Sequence, residues 1–449
     1  MKEMRKSGLS FPGRRFRERF AGVFRAACIG GAGAVMMAAA CPAAGQNGGG
    51  PDSSLRGVPR TEGAEQTQHR WRVAEAVVAD RTTGLPLSYA SVYLNDGRRG
   101  TVTNRQGEFA IRIADGDESL AVSYVGYEKR TVPIDRLTDT VWLRPMTFEI
   151  ETITVIPADK LTERLFKRYE ELYRRGRLVP RHEERYRYYY RQTTQTDGEY
   201  NEVMEAFFNA AARFSVRDLR YAAGRYAKLE PERGEYLFTF TNFFTNSYIL
   251  PFVPNPRLCD VRIADIIFPY RNTYRRFYTT SAAVLTDSRG ERIYKLTFKR
   301  KPEVWRSISE CSLYIDPETL FIHRCEGEIR RLEYFDISNN LPISKIDVRF
   351  SITYREQEGI PVVETVHAYG EGFRDMNDLH TGDVNAVLFN VGPSEAGGTE
   401  LGGDDFLLRQ ITSDGYDAAE WEDIEIIKRT PLEERAMRMF EKKNLFRTY

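Results

Sequence analysis

From residue 184 to about residue 372 the chain is one strand-length run after another, and nothing else in it limits the fold as much. The runs fall at 186–194, 200–209, 213–221, 235–241, 277–285, 293–299, 307–315, 321–332, 343–354 and 361–369. Several alternate polar and apolar residues, the period-two pattern of a strand with one face packed. Aromatics make up 12% of the chain, with 25 Tyr and 26 Phe, and such side chains favour strands. Consecutive strands pair as neighbours more often than not. The expectation is a large curved antiparallel sheet, half-barrel-like, with one face packed and the other open.

A few helices flank it. Leu161, Leu165, Tyr169 and Leu172 recur at three- and four-residue steps, which predicts a packing helix over 159–177, capped by Asp159 and ended by Gly176. Thr430-Pro431-Leu432-Glu433 is a capping box with Pro at the first helical position. Leu432, Ala436, Met439 and Phe440 then form the stripe of a short docking helix. Residues 383–405 are Gly-rich and acidic and read as a loop.

The N-terminus reads as a secretion signal over 1–45. A basic stretch ends at Arg25, an apolar run spans 26–40, and Ala43, Ala44 and Gly45 precede Gln46. The run is short and Gly-rich for a spanning helix. An uncleaved anchor is one alternative. Lipidation at Cys41 is another: small residues precede it, although Ala38 stands where a Leu-like residue is wanted. The Gly-, Ser- and Pro-rich segment 46–71 reads as a disordered linker. The whole chain has net charge +1; taking eight basic and two acidic residues of the first 45 from its 65 and 64 leaves 57 against 62. A mildly acidic, exported chain is no nucleic-acid partner. Beyond this region stand Cys259, Cys311 and Cys325, three thiols whose pairing sequence leaves open. Cys311 and Cys325 sit on neighbouring runs and would face each other across a hairpin.

Residues 72–146 read as short strands with turns between them, the mark of a small antiparallel β-sandwich. Three segments carry a resemblance. They are Gly84-Leu85-Pro86-Leu87 with Ala90, Val92 and Leu94; Gly100-Thr101-Val102-Thr103-Asn104-Arg105-Gln106-Gly107-Glu108-Phe109; and Ser123-Tyr124-Val125-Gly126-Tyr127. In order and spacing they resemble the carboxypeptidase-regulatory-like module, a transthyretin-like sandwich common in envelope proteins of Bacteroidetes-type bacteria. The resemblance implies a spacer or docking surface. Gly107 is expected in a tight turn, Phe109 and Tyr124 in the core, and Gly126 at an unusual φ. Residues 149–155 resemble the segment that follows this module in TonB-dependent receptors, but the remaining chain is too short for a transporter barrel.

After a linker at 147–158, the region 159–449 loosely resembles the second domain of uncharacterised envelope proteins of the same type. Its sheet also resembles the lipoprotein-carrier fold, a half-barrel for apolar ligands. Phe240, Phe243, Phe244, Tyr248 and Phe252 crowd a Pro-broken stretch. They read either as a flap lining a ligand-binding concavity or as core filling beneath a loop.

The signals of catalysis are weak. The five His are His69, His182, His323, His367 and His380. His323 and Glu326 match His-x-x-Glu, but strand parity puts them on opposite faces, and the other parts of a zinc peptidase are missing. No Gly-x-Ser-x-Gly elbow, phosphate loop or Cys-x-x-Cys pair occurs. In 185–191, alternation puts Arg185, Arg187 and Tyr189 on one face and Tyr186, Tyr188 and Tyr190 on the other, as in a plain strand. The sequence thus predicts a non-enzymatic exported protein at the periplasm or outer membrane, without cofactor or metal. It binds or scaffolds an envelope protein; the alternative is a carrier of an apolar, lipid-like ligand, and a zinc hydrolase comes third.

Overall fold

The computed structural model describes residues 72–94, 99–148, 157–233, 235–240, 243, 252, 266–336, 341–374, 379–395, 397–401, 406–414, 416, 421 and 426–446. The signal and linker segments, Cys41, the receptor-like segment 149–155, Phe244, Tyr248 and Cys259 lie outside them.

Seven short strands build the sandwich: β1 (Arg72–Asp80), β2 (Ser91–Leu94), β3 (Gly100–Val102), β4 (Glu108–Ile113), β5 (Ser119–Ser123), β6 (Arg130–Pro133) and β7 (Thr140–Leu143). They form two sheets, ordered β4-β1-β7 and β3-β2-β5-β6. Every pairing is antiparallel except that of β1 with β7. Ala74, Ala76 and Val78 alternate inward from β1 and meet Val92, Leu94, Phe109 and Val122 in one core. Gly107 has φ +75, and a Cβ there would stand 2.6 Å from the Val78 carbonyl oxygen, so only glycine fits. Gly126 has φ +88. Phe109 is fully buried as expected. Tyr124 is not: it packs on the rim of the core and faces outward.

The second part is one open sheet of twelve strands. They are β8 (Thr147–Phe148), β9 (Arg185–Thr196), β10 (Glu199–Ala212), β11 (Val216–Lys228), β12 (Tyr278–Thr286), β13 (Arg292–Arg300), β14 (Ile308–Ile315), β15 (Ile322–Asp336), β16 (Leu341–Gln357), β17 (Ile360–Arg374), β18 (Thr381–Pro393) and β19 (Thr399–Glu400). The order is β19-β11-β10-β9-β18-β17-β16-β15-β14-β13-β12-β8. Two runs of hairpins therefore meet in the middle, where β18 pairs antiparallel with β9. Sequential pairing fails at β8/β9, β11/β12 and β18/β19; β11 and β12 lie towards opposite edges, and the short β8 and β19 are the edge strands themselves.

Strand β18 replaces the loop expected from residue 383. Asp383, Asn385, Asn390 and the glycines read as turn signals, yet Val384, Ala386 and Leu388 alternate into the core. Gly382 serves packing: a Cβ there would stand 2.4 Å from the Phe238 ring. The strand expected at 235–241 is absent, its described part lying outside any ladder. In β9, Tyr186, Tyr188 and Tyr190 face the main core while Tyr189 faces the other side, as alternation predicts.

Helix α1 (Ala158–Arg174) fills the inner face with Leu161, Leu165, Phe166, Tyr169 and Leu172. Its N-cap is Pro157 rather than Asp159, which sits within the first turn. Gly176, at φ +68, ends it: the Arg177 N–H donates to Leu172 O and the Gly176 N–H to Tyr173 O, a Schellman motif. Tyr169 packs on Phe214 in the β10–β11 turn at 5.4 Å between ring centroids, and Phe166 packs on Phe298 of β13 at 6.4 Å. In a flat sheet β10 and β13 would stand roughly 30 Å apart. One helix touches both sides, so the sheet curls around it.

Among the described residues, further helices are α2 (Tyr274–Phe277), α3 (Phe406–Asp414) and α4 (Pro431–Lys442). The capping box of α4 is present: the Glu433 N–H donates to Thr430 Oγ1 at 3.2 Å, and the Thr430 N–H to Glu433 Oε2 at 2.7 Å. The buried stripe is Glu433, Met437 and Phe440, with Leu432 exposed, because Arg191 draws Glu433 inward at 3.5 Å.

Candidate functional site

The two faces of the sheet differ in what covers them. On the inner face Phe240, Phe243 and Phe252 are 0–1% exposed and belong to the core that includes α1. Phe252 stacks against Phe166, and Phe240 against Phe373. The segment 238–240 is held extended by side chains. The Phe238 N–H donates to Thr196 Oγ1, the Phe240 N–H to Glu202, Asn201 Nδ2 to Phe238 O, and Gln192 Nε2 to Phe240 O, all at 2.6–3.1 Å. Burial pushes the Glu202 carboxyl up, offset in part by hydrogen bonds from Thr194, Phe240 and Tyr226.

On the outer face two bodies dock. The C-terminal segment covers β9–β11 through a buried ionic cluster. Glu205, 1% exposed, accepts from Arg225 Nε at 2.6 Å and from the Tyr189 hydroxyl at 2.6 Å, with Arg191 and Arg429 at 3.6 and 3.8 Å. Arg191 also donates to Ile427 O, and the Arg225 guanidinium lies between the rings of Trp421 and Phe446.

The sandwich covers β17 and β18. Val102 joins Tyr189, Val387 and Phe389 in a small cluster. Tyr89, at φ +60, stacks on His367 at 3.8 Å. The Tyr89 hydroxyl donates to Asn385 Oδ1 at 3.1 Å, and His367 Nε2 stands 2.7 Å from the same oxygen. A neutral ring with its proton on Nε2 fits that acceptor. Burial, with Arg105, Arg324 and Arg349 nearby, outweighs this hydrogen bond and lowers the His367 pKa to about 4. The unfolded imidazole titrates near 6.5, so the unfolded chain holds the extra proton between the two values. Stability should therefore fall as pH drops from about 6.5 towards 4 and level off below, by about 3 kcal/mol. Urea unfolding midpoints of the wild type and His367→Gln against pH will check this. The variant keeps an N–H for Asn385 and should show the shallower dependence; equal slopes would count against the assignment.

Across β13–β17 the outer face stays open as a groove of about 740 Å³. Two cross-strand rows make its floor. One runs Thr297, Ser312, Glu326, Ser351, His367 across β13–β17, and the other runs Glu310, Glu328, Arg349, Tyr369 across β14–β17. Gly327 lies beneath, where β15 touches β14: a Cβ there would stand 2.0 Å from Glu310 O. Arg330 binds both Glu310 and Glu328. Burial raises the Glu328 pKa, with Asp347 and Glu310 adding to it against Arg330.

Arg324 forms the wall on the sandwich side. Its guanidinium lies 4.6 Å over the Tyr124 ring and 2.8 Å from Glu326, and it lines both the groove and a second cavity of about 190 Å³ against the sandwich. His323 lines the smaller cavity, Glu326 the groove. A bulge between Ile322 and Arg324 interrupts the alternation, so parity does not decide where His323 points. Among the described residues no cluster of three or more metal-ligating side chains occurs, and no helix is long and apolar enough to cross a membrane.

Cys311 and Cys325 are buried, unbridged thiols on β14 and β15. Burial, with Cys311 within hydrogen-bonding reach, pushes the Cys325 thiol far up. The residues of the groove escaped sequence reasoning, apart from His367 and Glu326, because its rows exist only once the register of five strands is known.

Residues 76–155 match the family model of the CarboxypepD_reg-like domain, so the chain carries a carboxypeptidase-regulatory-like domain in its sandwich. No curated protein matches the chain. Among solved structures, a DUF1329 family protein from Desulfovibrio piger is similar over 53% of this chain and 95% of its own, at 11% identity and a TM-score of 0.20.

Proposed function

We propose that this is a non-enzymatic, exported envelope protein that binds a polar partner in the groove on the outer face of its sheet. The carrying observation is the contrast between the faces. The inner face packs Phe240, Phe243 and Phe252 against α1, while the outer face holds an open groove of about 740 Å³ floored by two polar rows. Ligand sites of ordinary size run to a few hundred Å³ and place convergent polar groups. The sandwich is seated beside this site through Tyr89, Val102 and Tyr124.

The rival reading is a carrier of an apolar ligand held under Phe240–Phe252. The test is to express the full-length protein with its own N-terminus, purify it gently, and compare organic extracts with a mock purification by mass spectrometry. No stoichiometric apolar molecule is expected; finding one would overturn the proposal. On the same sample, N-terminal sequencing is expected to start at Gln46. A lipid-modified peptide starting at Cys41 would replace simple cleavage by an anchor.

A further inference from the structure

We propose that the occupant of the groove is a hydroxylated carboxylate, of the sugar-acid class, with Arg324, Arg349 and Lys299 as its cationic contacts. This rests on the reading of the groove as the binding site.

Charge balance carries it. Five cations line the groove (Lys299, Arg300, Arg324, Arg330 and Arg349) against three carboxylates (Glu310, Glu326 and Glu328). The carboxylates are already engaged. Arg330 binds both Glu310 and Glu328, and Glu326 accepts from the Tyr314 hydroxyl at 2.6 Å and pairs with Arg324 at 2.8 Å. Cationic capacity is left over. Arg324 is 8% exposed, yet its Nε has no hydrogen-bond partner among the described residues. A buried guanidinium N–H without an acceptor is costly, and a ligand carboxylate is the group that fits its planar fork. Lys299 forms no ion pair among the described residues, and Arg349 is 62% exposed with Glu371 as its one carboxylate partner there. The sandwich adds Arg105, whose guanidinium lies 4.5 Å over Tyr369 at the same end.

The rest of the floor selects the remainder of the ligand. Thr297 and Ser312, whose hydroxyls share one hydrogen bond at 2.9 Å, and Ser351 present hydroxyls in one row, and hydroxyls both donate and accept. Arg324 stands opposite Thr353 and Arg349 four residues along the same strand, so an occupant with carboxylates at separate points, one near each, and hydroxyls along this row satisfies both parts.

The experiment is isothermal titration of the full-length protein with trigalacturonate, maltotriose and inorganic phosphate in turn. Trigalacturonate should bind at least about tenfold more tightly than maltotriose, the worth of one charge-assisted contact. Arg349→Glu and Lys299→Glu should each weaken it by about tenfold, with melting temperatures near that of the wild type because both side chains sit outside the core. Equal affinity for maltotriose would overturn the carboxylate while keeping the groove as a polar site. Binding of phosphate without trigalacturonate would replace the carboxylate by another oxyanion. Heat from none of the three would remove the groove reading itself, and an undiminished signal in both variants would place binding elsewhere.

Discussion

Glu205→Gln is expected to lower the stability of the chain by about 3–5 kcal/mol, the usual cost of leaving a buried charge without its counterion. Burial alone would push this carboxyl up; Arg225, Arg429 and Arg191, with the Tyr189 hydroxyl, outweigh burial and hold it far below the usual carboxylate range. The amide would keep the shape and lose the charge. Three arginines would then face each other in a site sealed by Trp421 and Phe446. Of the four tryptophans, Trp71 lies outside the described residues and Trp142 and Trp305 are exposed, whereas Trp421 is 5% exposed and 5.9 Å from Phe207, so the Trp421 share of the emission reports on this seal. Urea unfolding followed at tryptophan emission will give the difference. A loss under about 1 kcal/mol, the level of an exposed ion pair, would mean that water screens the cluster.

The second large effect is expected at Gly327. A methyl group there would stand 2.0 Å from Glu310 O and 2.8 Å from Cys311 Cα, and backbone cannot yield as the end of a flexible side chain can. Gly327→Ala should force β14 and β15 apart and cost about 3 kcal/mol, the upper range of overpacking in a filled interior. Ser351→Ala, one strand away on the same floor, adds no atoms and should cost under about 0.5 kcal/mol. Amide hydrogen exchange is the direct check, with faster exchange in β14 and β15 of the glycine variant alone. Protection equal to that of the wild type in both strands would refute the close-approach argument.

Sequence and structure agree best where one rule acts at a time. Strands β12–β17 follow from alternation, because each puts one face on the core and the other outward, to water in β12 and β13 and to the sandwich in β17. The segment at 235–240 misled for an instructive reason. Phe238 and Phe240 do alternate inward and the backbone is extended, but its N–H and C=O groups are satisfied by Thr196, Glu202, Asn201 and Gln192 rather than by another strand. Strand β18 was hidden by the opposite effect. Asn385 and Asn390 look like turn residues, but Asn385 accepts from Tyr89 and Asn390 donates to Val363 O, so both serve partners distant in sequence. Tyr124 looked like a core anchor because aromatic residues in short strands usually are; its ring instead meets Arg324 of the large sheet.

The pairing of β9 with β18 also sets the order in which the molecule can be finished. Residues 185–196 need residues 381–393 as a neighbour, so the widest separation along the chain falls at the centre of the sheet. Contacts of such span slow folding, because the loop must close before the contact repays it. A growing chain that has reached β17 holds two separate blocks, β9–β11 and β12–β17, each with a bare edge whose backbone groups invite the wrong partner. A chain stopped short of Thr381 would keep both edges, and aggregation rather than partial function is its expected fate.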